Sequence, residues 1–128
     1  MRINKLLVAV SFAVLAFWGI NNSWADEIEV PITMSNTNVE LNVGDSRTFA
    51  LDVVGLPTDA YMVSSSAVSA DENIAEGTLS SFNQRAIEWS ITVEGKGIGT
   101  VIITITARWM DSEGRVFVAS YSFPVRIF

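Results

Sequence analysis

Apolar and polar residues alternate repeatedly along this chain after residue 38, and the pattern leaves few folds open. Each apolar run has a period of two and is bounded by polar or glycine-containing turns. The alternating apolar residues are Val39, Leu41 and Val43; Phe49, Leu51 and Val53; Ile87, Trp89, Ile91 and Val93; and Val101, Ile103, Ile105 and Ala107. A period of two places successive side chains on opposite faces of a strand. The pattern therefore predicts an all-β protein, an antiparallel β-sandwich.

Two segments depart from the regular pattern. Pro124 lies inside the predicted final strand, and proline cannot donate a hydrogen bond to a neighbouring strand. We therefore expect that strand to be at an edge of its sheet, or bulged at this point. Residues Ala67 to Glu76 show no clear period, so either a short strand or an irregular crossing is open there.

The first 25 residues are typical of a secretory signal peptide. Arg2 and Lys5 form a basic head, and residues 6–20 are an almost continuous apolar run. Ser23 and Ala25 are small residues at positions −3 and −1 of a cleavage site. An uncleaved anchor is less consistent with the length, because fifteen helical residues span about 22 Å of a hydrocarbon core of about 30 Å.

Cleavage after Ala25 would leave residues 26–128, the size of one domain. All 14 acidic residues lie in this part, whereas two of the eight basic residues, Arg2 and Lys5, leave with the signal. The mature chain then carries a net charge of −8, which argues against nucleic acid and anionic membranes as partners. With no cysteine to form disulfides, a bacterial periplasmic or secreted location is expected.

The chain contains neither histidine nor cysteine. This excludes Ser-His-Asp and Cys-His nucleophile systems and ordinary zinc sites. No glycine-rich loop precedes a helical segment, so a phosphate cradle of that type is not expected. The composition predicts a protein without enzymatic activity, cofactor or metal.

Carboxylate clusters are the remaining route to chemistry, because glycosidases need only two carboxyl groups. The candidates are Asp71 and Glu72 with Glu76, and Asp111 with Glu113. The first group could also bind calcium weakly, although its spacing matches no known calcium loop. Both groups lie in polar connections, where solvated surface charge is the ordinary explanation.

Three longer connections are predicted at one end of the sandwich, where binding residues commonly lie. They are Val54 to Ala60, Gly77 to Gln84, and Arg108 to Arg115. The tight turns at Gly44-Asp45 and Gly95 to Gly99 fall at the opposite end. The candidate partner-binding residues are Pro57, Thr58, Asp59, Tyr61, Leu79, Phe82, Arg108 and Trp109.

Several of these residues have a structural alternative. Pro57 makes its loop stiff, which suits insertion into a partner but equally suits a plain turn. Trp109 has inward parity at the end of its strand, so it either contacts a partner or caps the core. Leu79 and Phe82 are either exposed contacts or packed onto the core. Trp89, in mid-strand, is expected in the core.

The order of these features resembles the chagasin-like inhibitors of papain-type cysteine peptidases. The resemblance covers about residues 39–127: Pro57, Thr58 and Tyr61 match the family's first loop, and Arg108 and Trp109 match its Arg-Pro-Trp loop without the proline. It implies an immunoglobulin-like antiparallel β-sandwich that inserts three loops into the peptidase cleft without covalent chemistry. In that case Thr58 would bind near the catalytic residues and Trp109 would pack on the rim.

Three functional hypotheses follow. The first is an exported inhibitor of papain-type cysteine peptidases, a monomer whose partner is a protein. The second is a bacterial immunoglobulin-like interaction or adhesion module, because the Val43-Gly44-Asp45 turn and the Gly95 to Gly99 segment are also typical of such repeats. The third is a subunit that completes its sheet by exchanging its final strand, Tyr121 to Phe128.

Overall fold

The computed structural model describes residues 27–83 and 88–128, so the predicted signal peptide and Ile87 lie outside the described residues. All the regular elements described are strands. They are β1 (Glu27–Glu29), β2 (Ile32–Met34), β3 (Val39–Leu41), β4 (Ser46–Val53), β5 (Tyr61–Ser69), β6 (Ala75–Leu79), β7 (Trp89–Gly95), β8 (Gly99–Met110) and β9 (Val116–Ile127). No helix in these residues is long and apolar enough to cross a membrane.

The larger sheet has five strands and is built around the long hairpin of β8 and β9. These two strands pair antiparallel from Val116 opposite Met110 to Ile127 opposite Gly99. Strand β5 pairs antiparallel with the other side of β8. On the far side of β9, β1 and β3 both pair parallel to it, one near each end.

The smaller sheet has four antiparallel strands in the order β2, β4, β7, β6. The chain thus crosses between the sheets as in an immunoglobulin domain. The smaller sheet, β2, β4, β7 and β6, corresponds to the first, second, fifth and fourth strands of that fold, and β5, β8 and β9 of the larger sheet correspond to the third, sixth and seventh. Here the first strand is split into short pieces, so that β2 joins one sheet while β1 and β3 join the other. The predicted all-β, immunoglobulin-like sandwich is confirmed.

The core consists of the inward-facing residues of both sheets, as the alternation predicts. Every second residue of β8 from Val101 to Trp109 is buried, and the residues between them are half-buried or exposed. The buried residues of the smaller sheet include Phe49, Leu51, Val53, Trp89, Ile91 and Val93. Trp89 is in the core, as expected.

Pro124 occupies a local gap rather than the edge of a sheet. Strand β9 pairs with β1 over Val116–Val118 and with β3 over Val125–Ile127, so its middle residues have no strand on that side in the described part of the chain. A missing amide donor at Pro124 therefore interrupts no pairing there. At both ends the final strand lies between two neighbours, with β8 on one side and β1 or β3 on the other.

The uncertain segment from Ala67 to Glu76 contains the end of β5, a turn and the start of β6. Asp71 organises the turn, because its carboxylate Oδ1 accepts a hydrogen bond from the Asn73 amide at 3.0 Å. Its carbonyl accepts another from the Ile74 amide at 3.1 Å. The segment is therefore a strand–turn–strand connection at the end that also carries the tight glycine turns.

Candidate functional site

Two of the three loops predicted at one end of the sandwich are in direct contact. The third, Gly77 to Gln84, begins within β6, and Gln84 lies outside the described residues. Residues 54–60 connect β4 to β5, and residues 111–115 connect β8 to β9. The backbone amide of Ser112 donates a hydrogen bond to Asp59 Oδ2 at 3.2 Å, and the Ser112 hydroxyl donates a second, short bond to the same oxygen. The two loops, 53 residues apart in sequence at this contact, are thus joined at their tips.

The first loop ends in a tight turn. The Ala60 amide donates to the Pro57 carbonyl at 3.1 Å, and Ala60 itself is buried. This geometry places Thr58 and Asp59 at the two central turn positions, where both are exposed. Pro57 is half-buried and holds its own φ, so the loop presents Thr58 and Asp59 on a stiff support.

The other loop is organised by Asp111, whose side chain is fully buried. Its Oδ1 accepts hydrogen bonds from the amides of Glu113 at 3.0 Å and Arg115 at 2.8 Å, and its Oδ2 accepts one from Arg115 Nε at 2.6 Å. Gly114, at φ 81°, supplies the left-handed residue that closes the turn. Asp111 is therefore a structural anchor of this turn.

The charges at this end are fixed by hydrogen bonds. Burial alone would raise the pKa of Asp111, but the hydrogen bonds from Arg115 and Glu113, together with the Arg115 charge, lower it below its usual value. The Ser112 hydroxyl is the main cause of the lowered pKa of Asp59, and the Ser112 amide adds to it. Both carboxylates are ionised at neutral pH, so the tip of the first loop is anionic.

Trp109 does not lie on the surface of this end. It is 0% exposed, and its ring makes edge-to-face contacts with Phe82 and Trp89 at centroid distances of 5.7 and 5.8 Å. Phe82 also meets Trp89 edge to face at 6.1 Å. The expectation that Trp109 contacts a partner is wrong for this structure, because its inward parity on β8 places it in the core.

Leu79 and Phe82 take the structural alternative that the sequence left open. Both are half-buried and pack against the core, and Phe82 covers the two tryptophan rings. Phe82 therefore covers the aromatic cluster and Leu79 packs on the core, so the two residues are not a free contact patch.

Arg108 is directed away from the loops. Because Trp109 points inward, Arg108 lies on the outer face of the five-stranded sheet, where its Nη1 is 2.6 Å from Glu27 Oε2. Arg108 and Trp109 thus point to opposite faces of β8 and cannot be offered together to one partner. The sequence analysis assigned both residues to one binding loop because they are adjacent, but adjacent residues of a strand point to opposite faces of the sheet.

Apart from Val54, which is 59% exposed in the first loop, and Arg115, the exposed side chains of the two loops form a small polar surface. It consists of Thr58, Asp59, Ser112 and Glu113, with Tyr61 beside it at 47% exposure. The Tyr61 hydroxyl lies 3.5 Å from Met110 Sδ, which holds the ring against β8. Ser112 was not among the sequence candidates; the Asp-x-x-Gly spacing of residues 111–114 was the available sign of a structured turn.

The other acidic candidates are engaged at the opposite end. Asp71 caps its turn, and Glu76 Oε1 is 2.8 Å from Lys96 Nζ. The ion pair with Glu76 raises the pKa of Lys96 above its usual value. No group of three or more potential ligands that could hold a metal occurs within residues 27–83 and 88–128.

No protein family matches the chain, and no curated protein resembles it closely enough in sequence to count as a relative. Two solved structures share its fold. Domains 4 and 5 of the S-layer protein SbsC align over 75% of this chain with 21% identity and a TM-score of 0.53. The S-layer protein rSbsC(31–844) aligns over 76% with 20% identity and a TM-score of 0.55. This chain spans 50% and 12% of those chains, respectively, and the likeness is one of fold.

Proposed function

We propose that this chain is an exported immunoglobulin-like module that works at the cell surface by binding another macromolecule, without chemistry of its own. The observation that carries the proposal is the joined pair of loops. The hydrogen bond between Ser112 and Asp59 connects two stiff turns, and polar side chains of these turns are exposed to solvent. A preformed surface loses little conformational entropy on binding. The sequence has no histidine or cysteine that could form a Ser-His-Asp or Cys-His nucleophile system.

Two further facts favour an extracellular setting. The first 25 residues are typical of a cleaved export signal. The solved structures that share its fold are S-layer proteins, one of them represented by domains 4 and 5 of SbsC. The net charge of −8 expected for the mature chain favours a partner with basic or neutral polar groups.

We expect the protein, purified after export of the full chain, to co-sediment saturably with envelope fragments of its source cells. Thr58→Ala and Ser112→Ala should each raise the Kd about tenfold, because they remove exposed hydroxyls from the joined loops. Ser46→Ala is the matched control, since it removes an exposed hydroxyl at the opposite end. Sedimentation at background level at every protein concentration would contradict the proposal.

Inhibition of a papain-type cysteine peptidase is the second candidate function. It is favoured by the exposed position of Thr58 on a proline-supported turn beside the loop of residues 111–115, the arrangement that the chagasin-like resemblance implies. Such an inhibitor would have to act without Trp109, which is buried here.

A titration of papain with the purified protein separates the two functions. For the inhibitor, activity falls at micromolar protein, and Thr58→Ala weakens the inhibition about tenfold while Ser46→Ala does not. For the surface module, papain stays fully active over the same range. Full activity at micromolar protein therefore removes the inhibitor from consideration.

A further inference from the structure

Strand β5 forms one edge of the five-stranded sheet. It pairs with β8 on one side, and among residues 27–83 and 88–128 no strand is hydrogen-bonded to its other side. A register shift between Met62 and Ser64 bends its first part. The regular part of this open edge, Ser64–Ser69, is six residues long, enough to pair with another strand.

The direction of the backbone groups on β5 follows from one hydrogen bond. The Ala70 amide donates to the Ile102 carbonyl at 3.0 Å, continuing the register in which Ser69 lies opposite Ile103. In an antiparallel pair, alternate residues bond to the partner strand. The residues bonded to β8 are therefore Ser64, Ser66 and Val68. The residues whose amide and carbonyl groups face the open edge are Ser65, Ala67 and Ser69.

Beyond the register shift at Met62 and Ser64, the Ser64–Ser69 part of this edge lacks the usual protection against pairing. Natural edge strands carry charged residues or proline, or are very short. Strand β5 has no charged residue and no proline, and Val68 is 59% exposed beside the open side. The other edge strands described are protected: β1 carries Glu27 and Glu29, β2 and β3 have three residues each, and β6 carries Glu76.

We propose that β5 pairs antiparallel with β5 of a second copy of this chain, joining two five-stranded sheets into one continuous sheet. With Ala67 opposite Ala67 of the second copy, Ser65 faces Ser69, and each open amide meets an open carbonyl. Such a contact is two-fold symmetric and closes on itself.

A second copy fits this edge because the Ser64–Ser69 edge is self-complementary in the antiparallel register and needs no other strand sequence. The edge has no charged residue, so it is also the place where two acidic chains can approach with the least repulsion. Antiparallel pairing also directs the two loop ends in opposite directions. The dimer would then bridge two partners, a consequence that rests on the proposed surface function, whereas the pairing itself does not.

Sedimentation-velocity measurements on the exported protein test the pairing directly. We expect a dimer fraction that rises between about 1 µM and about 1 mM protein. The fraction should rise further at high salt, because the Debye length falls to about 3 Å at 1 M and the repulsion between the acidic bodies is screened. A monomer at every concentration and salt level would overturn the proposal.

Two lysine variants form a matched pair. Val68→Lys places a charge at the open edge, whereas Ile102→Lys places the same charge on the same sheet face but on the central strand β8, where Ile102 is 45% exposed. The edge variant should raise the dimer Kd at least about tenfold, and the central variant should leave it near the wild-type value. Equal effects of the two lysines would contradict edge pairing.

Ser65→Pro tests the backbone itself. It removes an amide donor from the open edge without removing a bond to β8, so the monomer should stay folded by far-UV circular dichroism while the dimer disappears. If that variant does not fold, the lysine pair still decides. One further outcome would overturn the second-copy proposal. If the wild-type protein stays monomeric and Val68→Lys loses envelope binding, the open edge of β5 pairs with a strand of another protein.

Discussion

Trp109→Ala should lower the free energy of unfolding by about 3–5 kcal/mol, the usual cost of removing a large buried aromatic side chain. Trp109 is 0% exposed and contacts both Phe82 and Trp89 edge to face. The substitution leaves a cavity beneath Phe82 and removes two aromatic contacts. Since domains of this size are stable by about 5–15 kcal/mol, the expected loss is a large share of the total stability.

Urea unfolding followed by far-UV circular dichroism measures this loss, because Trp109→Ala also removes a fluorophore. Trp109→Phe is the matched control. It keeps an aromatic ring in the cluster and removes an indole Nε1 that finds no acceptor among the described residues, so it should cost clearly less than alanine. A cost below about 1 kcal/mol for Trp109→Ala would mean that the residue is not in the core.

The same pair of variants bears on function. If Trp109 packs on a partner, Trp109→Ala weakens binding while the domain stays stable. If Trp109 caps the core, Trp109→Ala lowers the stability, and Trp109→Phe keeps both stability and binding close to the wild-type values. Measuring unfolding and envelope binding on the same samples therefore separates the two roles that the sequence left open for Trp109.

The parity of residues along β8 could have settled these roles from the sequence. The alternation from Val101 to Ala107 predicts an inward Trp109 and, by the same rule, an outward Arg108. The resemblance to a known loop motif grouped the two residues because they are adjacent. Where a strand continues through a motif, its period of two is the stronger guide, and β8 continues to Met110.

Other features lay beyond what local pattern can predict. The Asp59–Ser112 contact joins residues 53 positions apart, and nothing near either residue indicates the other. The short strands β1 and β3 pair parallel to β9, which depends on where the last strand lies in the sheet. Pro124 indicated a local lack of pairing correctly, but the gap lies inside the sheet because two short strands leave it between them.

Gly97→Ala should lower the free energy of unfolding by about 3 kcal/mol, the upper part of the range for forcing extra atoms into a packed site. A Cβ atom at residue 97 would lie 2.6 Å from the Asn73 carbonyl oxygen, a backbone atom that cannot rotate away. The amides of Lys96 and Gly97 both donate to the Ile74 carbonyl, at 2.8 and 3.1 Å. The added methyl group must push the two turns apart and weaken both bonds.

Gly114→Ala separates this clash from the general cost of replacing glycine. An added Cβ at residue 114 meets no atom within 4 Å, but the residue has a φ of 81°. Only backbone strain of about 1 kcal/mol is expected there. Urea unfolding followed by tryptophan fluorescence compares the two variants, and hydrogen exchange at the amides of residues 96 and 97 should accelerate only in Gly97→Ala. Equal losses of stability with unchanged exchange would show that the turns of residues 70–74 and 96–98 are not packed together. These two turns would then not stabilise the end of the sandwich opposite the joined loops.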